Sequence, residues 1–206
     1  MSTHPGRQVA VDHSDAGLRA RLVAAGVDLV ARDGAEALSL REIARRAGVS
    51  HGAPRRHFPT HRALLAAIAL EGYRDLGRQV AELIGDGRHD PYALLLALGR
   101  RYLDFARDNR GMFELMFRHD LLRGNQLGLR EASVPLFEIL VDLVARARPA
   151  TSGAPPAVVV AGALWASLHG LAQLRLWGSL QLVTGVDEVE PLLRAALEAH
   201  LGPGRP

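Results

Sequence analysis

The stretch SLREIARRAGVSHGAPRRHF, residues 39–58, leaves its backbone few choices. Leu40, Ile43, Ala44 and Ala47 follow the i, i+3, i+4, i+7 spacing of one buried helical face. Ser39 with Glu42 three positions on has the form of a capping box, in which each side chain satisfies a backbone donor at the helix start. Gly48 can take the left-handed conformation that ends a helix without a Cβ clash, and Val49 can fill the angle that follows. Ser50 is placed to cap a second helix over residues 51–58, with Pro54 at the edge of its first turn, where a missing N–H costs least. The pattern is a helix-turn-helix.

Its polar groups point to a partner. Between Arg41 and Arg62 stand six arginines and three histidines against one acid, Glu42, although the whole chain carries a net charge of only +3. Such local asymmetry is the footprint of a phosphate-facing surface. Gly52 and Ala53 keep the leading surface of the second helix thin, so it fits a major groove while flanking cations neutralise phosphates. A helical hairpin with a merely solvated basic face is the alternative. The residues put forward for DNA are Ser39, Arg41, Ser50, His51, Gly52, Arg55, Arg56, His57 and His61. Within that set Ser39, Arg41, Ser50 and His61 are assigned to phosphates, and Arg55 with His51 to base edges.

Leu40, Ile43, Ala44, Ala47, Gly48, Val49, Ser50, His57, Phe58 and Leu64 together resemble the tetracycline-repressor (TetR) family of bacterial regulators, over about residues 18–68. The resemblance implies an all-α homodimer, with an N-terminal three-helix DNA-binding domain followed by a C-terminal helical domain for ligand binding and dimerisation. It also implies a repressor, released from a palindromic operator when a small apolar effector favours a state with wrongly spaced reading heads. Two positions depart from the family pattern: Arg55 stands where Tyr is usual, and His61 where Lys opens the fourth helix. Both family residues touch phosphates, so Arg55 is expected to keep that role or read guanine, and His61 to be a weaker contact.

Composition removes other classes. The chain has no cysteine, which excludes disulfides and thiolate chemistry, and its 48% apolar content suits a packed core. No HExxH, GxSxG or phosphate-cradling glycine loop is present, so neither catalysis, a metal nor a cofactor is expected. The first fifteen residues lack the apolar core of a secretory signal, and the longest apolar run, 157–168, is short for a bilayer. The expectation is a soluble, cytoplasmic protein without a membrane partner.

Along the chain, residues 1–14 lack helical periodicity and read as a disordered tail, either with Arg7 as a DNA-brushing arm or with no role at all. Residues 15–70 make the reading domain, with a first helix over 15–33, and residues 71–206 the effector and dimer domain. A long fourth helix over 61–84 crosses the boundary, and Gly72 and Gly77 within it mark close packing or a bend. Further helices are expected over 91–109, 111–118, 127–148, 157–178 and 187–201. Pro135 kinks the third of these early or marks its true start. The fourth is apolar nearly all round, which demands burial on more than one side, and the last two form the dimer surface.

Met112, Met116 and Phe117 follow a helix ending near Tyr102 and Phe105, and soft or planar side chains suit an adaptable apolar cavity. Ordinary core is the competing reading. Trp165 and His169 are i, i+4 neighbours, in a segment that resembles a Trp…His-Gly signature of one branch of the family. With Phe137 and Gln173 they complete the effector set. A helical protein-interaction module with weak or lost DNA binding is the other class that fits.

Overall fold

The computed structural model describes residues 8–85, 90–124, 128–148 and 153–202. Every regular element among them is helical. In order they are α1 (Gln8–Asp33), a 3-10 turn (Ala35–Ala37), α2 (Leu40–Arg46), α3 (Ala53–His57), α4 (His61–Ile84), α5 (Pro91–Asp108), α6 (Arg110–Met116), α7 (His119–Gly124), α8 (Leu129–Ala147), α9 (Ala157–Leu176), α10 (Ser179–Thr184) and α11 (Glu190–Leu201). They form two compact units: Met1–Gly72 with Gly111–Leu129, and Tyr73–Arg110 with Arg130–Pro206.

In the first unit α1 packs on α2, α3 and the 3-10 turn. The apolar stripe read from the sequence is its core: Leu22, Leu29, Ile43, Ala44, Phe58, Leu64 and Ile68 are all buried. Burying each large aliphatic side chain contributes about 1.5–3 kcal/mol, which holds helices as short as α2 and α3 that would not form alone. The first helix begins at Gln8, so residues 8–14, expected as tail, are helical. The nearest helix breakers upstream are Pro5 and Gly6, and none stands between Gln8 and Asp15. Residues 1–7, with Arg7, lie outside the described residues.

The segment Gly111–Leu129 packs with this unit as well. Two glycines explain the attachment. A Cβ on Gly111 would stand 2.6 Å from the carbonyl oxygen of Val30, so α6 touches the backbone at the end of α1. A Cβ on Gly72 would stand 2.6–2.8 Å from atoms of Met112 and Met116, so the two methionines lie directly on α4.

In the second unit α9 packs on α5, α10 and α11, and α5 on α11. Leu95, Leu103, Leu164, Leu168, Leu193 and Leu197 are buried there. The Asp90 carboxylate caps α5, accepting from the Ala93 N–H at 2.8 Å, and Arg100 and Arg194 both pair with Glu190. Helix α8 starts ahead of Pro135 and contains it, which decides between the two readings of that proline. By length and composition alone helix α9, Ala157–Leu176, reaches what a bilayer span needs, with mean hydropathy 1.5 over its most apolar stretch, but a single such helix is not a clear span, and His169, Gln173 and Arg175 interrupt it as the sequence indicated. Helices α7 and α10 were not anticipated; α10 sits between Gly178 and Gly185, both left-handed, with φ of 72° and 66°.

Candidate functional site

The turn of the helix-turn-helix is built much as its sequence dictates. Ser39 caps α2, its hydroxyl accepting from the Glu42 N–H at 3.2 Å. Gly48 is left-handed, with φ of 65°. Arg21 reaches across from α1 to donate to the Ala47 carbonyl at 2.6 Å, satisfying the end of α2. Two details differ from the expected caps. The Ser39 N–H donates to Ala37 rather than to Glu42, so the capping box is made on one side only. Ser50 does not cap α3; Gly52 occupies the N-cap position and the helix covers residues 53–57 instead of 51–58. The reason is Pro54. A helix capped at Ser50 would need the N–H of residue 54 to bond the Ser50 carbonyl, and proline has none. Ala53 donates there instead, at 3.0 Å, which closes a turn before the helix begins.

Glu42 is missing from its cap because arginines hold it. Arg45 donates to both its oxygens, at 2.8 and 2.6 Å, and Arg46 donates to one at 3.0 Å while reaching Asp33 at 2.6 Å. The hydrogen bond from Arg45, then that from Arg46, hold the Glu42 carboxyl down to about 2, well below the usual carboxylate range. Arg62 stands 3.9 Å from Asp120. Of the six arginines in the basic stretch, Arg41, Arg55 and Arg56 therefore remain: all three are exposed and make no hydrogen bond or ion pair among the described residues. His51, Gly52 and Ser50 are exposed beside them, and His57 is half-buried. The Nε2 of His61 donates to the Leu38 carbonyl at 2.7 Å, which binds the start of α4 to the approach of α2 and leaves one ring nitrogen for any other contact.

The residues expected around an effector fall into both units. Met112 and Met116 are buried in the first unit, and Phe117 packs on Phe113 there with ring centroids 4.9 Å apart. Phe105 is core of the second unit. The other five form one chain of contacts in that unit. Phe137 meets Trp165 edge-on at 6.2 Å, and Trp165 lies 6.1 Å from His169. The Tyr102 hydroxyl is 2.8 Å from Nδ1 of His169, and the Gln173 amide donates to the Nε2 at 3.4 Å. Burial lowers the His169 pKa, favouring the neutral ring. Burial raises that of Tyr102, with the Trp165 indole opposing and Tyr73 reinforcing. Tyr73, itself raised by burial, was missed in the sequence because it looks like one more apolar position of α4. The cluster is an uncharged aromatic surface with hydrogen-bonding edges. Among the described residues no group of three His, Asp or Glu is arranged to hold a metal.

Residues 22–68 match the family model for bacterial regulatory proteins of the tetR family, and residues 95–200 match the tetracyclin repressor-like C-terminal domain. No curated protein matches the chain in sequence. Among solved structures, a protein of unknown function from Rhodococcus sp. RHA1 is 29% identical, with 89% of this chain and 93% of that one covered at a TM-score of 0.72. The putative regulatory protein SCO4313 is 23% identical, covering 93% and 98%, with a TM-score of 0.67. The multidrug binding protein EbrR, solved in complex with imidazole, is 26% identical, covering 91% and 90%, with a TM-score of 0.56. With both halves of the family architecture matched, the chain belongs to the TetR family of DNA-binding transcriptional regulators.

Proposed function

We propose that the protein is a homodimeric repressor that leaves a palindromic operator when a small, largely apolar aromatic effector binds its C-terminal unit. The observation that carries the DNA half is the sorting of arginines by Glu42 and Asp120. Arg45 and Arg46 are neutralised within the fold, whereas Arg41, Arg55 and Arg56 present uncompensated charge on the helix-turn-helix. Arg55 with His51 reads base edges; Ser39, Arg41, Ser50 and His61 contact phosphates, and Gly52, Arg56 and His57 complete the surface. A weak or lost interaction with DNA would leave no reason to keep those three guanidinium groups clear of partners.

The effector reading is supported by the Tyr102–His169–Gln173 polar edge beside Trp165 and Phe137. These groups suit a planar molecule with one or two hydrogen-bonding atoms. That EbrR was solved with imidazole supports a small-molecule role for this class of C-terminal domain. The homodimer is supported by the outer face of α9 and the segment after it, where Val158, Val159, Trp165, Leu174, Trp177, Leu182 and Val183 are exposed. Apolar exposure of this extent marks an interface, and we assign it to a second subunit rather than to a lipid surface.

Selection of random duplex DNA on the purified protein tests the proposal. An enriched palindrome supports a sequence-reading dimer, and release of that duplex by small aromatic molecules supports the effector role. Retention without a consensus, or no retention at low salt, would overturn operator reading.

A further inference from the structure

Arg62 opens α4 beside His61, is exposed, and has its Nε 3.9 Å from Oδ2 of Asp120 on α7. That separation allows attraction but no hydrogen bond. Both oxygens of Asp120 already accept from Arg118, at 3.0 and 2.8 Å. Two guanidinium groups therefore share one carboxylate, and the first turn of α4 contains no acid of its own. One positive charge is left over at the helix that directly follows the reading helix, and Arg62 is the cation held less tightly.

We propose that Arg62 is a DNA-phosphate contact and that Asp120 is its internal competitor. The inference rests on the DNA-binding reading of the helix-turn-helix. In the free protein the carboxylate draws Arg62 toward α7; on DNA a phosphate takes its place. The competitor is supplied by a segment distant in sequence, because α7 follows α6, whose Met112 and Met116 lie against Gly72 of α4. A displacement of α7 from α4 thereby changes the charge available to DNA, without altering any base-reading residue.

The test uses the full-length protein and a fluorescently labelled duplex of random sequence, since phosphate contacts act on any sequence. Affinity is measured across a salt series for the unaltered protein, Arg62→Ala, Asp120→Asn and the double variant. Both side chains are exposed, and thermal melting verifies that the variants remain folded. Arg62→Ala is expected to flatten the dependence of log affinity on log salt by about one. Asp120→Asn is expected to bind roughly two- to five-fold more tightly at low salt, the span of an exposed ion pair. In the Arg62→Ala background that gain should vanish. An unchanged slope for Arg62→Ala overturns the proposal. So does an Asp120→Asn gain that is absent, or that persists undiminished without Arg62, which would be a long-range field effect. Failure of the unaltered protein to bind any duplex would instead sink the DNA-binding reading on its own, before the variants are compared.

Discussion

At the scale of single residues, one carboxylate decides which arginines face outward uncompensated. Glu42 is within reach of both Arg45 and Arg46, three and four positions on, so geometry along one helix assigns them to it. Arg55 has no acid at the corresponding spacing on α3. Arg55→Ala should therefore cost about 1–3 kcal/mol of binding to a selected operator. Arg45→Ala should change it by no more than about 0.5 kcal/mol, as expected for an exposed residue occupied elsewhere. Fluorescence anisotropy titrations of the two variants on the same duplex make the comparison, and equal losses would show that Glu42 does not restrain Arg45 on DNA. His169 makes a prediction of a different kind. Burial depresses its pKa below 6.5 in the folded state, so the unfolded chain binds the proton more readily. Stability should be unaffected by this group above about pH 6.5 and fall as pH drops through the window below it. His169→Asn should lose less melting temperature than the unaltered protein between about pH 7.5 and about pH 5, and parallel losses would exclude His169 as the titrating group.

At the scale of elements, the two glycines of α4 look alike in sequence and differ in the fold. Each costs roughly 1 kcal/mol of helix propensity relative to Ala. A Cβ at Gly77 would meet nothing nearer than Leu136 at 3.9 Å, an ordinary contact. At Gly72 it would drive into Met112 and Met116. Gly77→Ala is thus expected to stabilise the protein by about 0.5–1 kcal/mol. Gly72→Ala should lose that gain to overpacking of about 1–3 kcal/mol and come out destabilised. Urea denaturation of the two variants would separate them, and stabilisation by both would mean that the methionines move aside without cost. The same pair shows where the sequence stops being legible. Periodicity marked α1, α2, α4, α5, α8 and α11, because their buried faces repeat within a few residues, whereas α9 showed as a run apolar nearly all round and α6 as a stretch rich in Met and Phe. It could not show that α6 joins the first unit, since that attachment depends on Gly72 and Gly111 meeting residues about 40 and 80 positions away in the chain. Nor could it reveal α10, whose six residues are too few to display a helical period.

At the scale of the whole molecule, the outer side of α9 carries information that one chain alone does not use. Val159, Ala163, Ala166, Leu174 and Trp177 are exposed along one stripe, opposite the buried Ala161, Leu164, Leu168 and Ala172. Gly170 continues the stripe, and a Cβ there would meet nothing within 4 Å. The small centre and larger ends of this stripe suit the close approach of a second α9 about a two-fold axis. Such an axis is what a palindromic operator requires of the reading heads. Ala166→Arg places a charge at the centre of that stripe without disturbing the core of its own subunit. It is expected to convert the dimer to monomers in sedimentation velocity, leave the helical circular dichroism unchanged, and weaken operator binding, because each half-site would then bind alone. Trp177, Leu182 and Val183 are the most exposed large apolar residues, at 64%, 86% and 85%, and they extend beyond the stripe onto α10. Leu182→Asp therefore discriminates between two forms of the interface. Loss of the dimer in Ala166→Arg but not in Leu182→Asp would confine the contact to α9. Loss in Leu182→Asp alone would move it onto α10 and refute the α9 axis, and a dimer that survives both substitutions would remove this face from the assembly altogether.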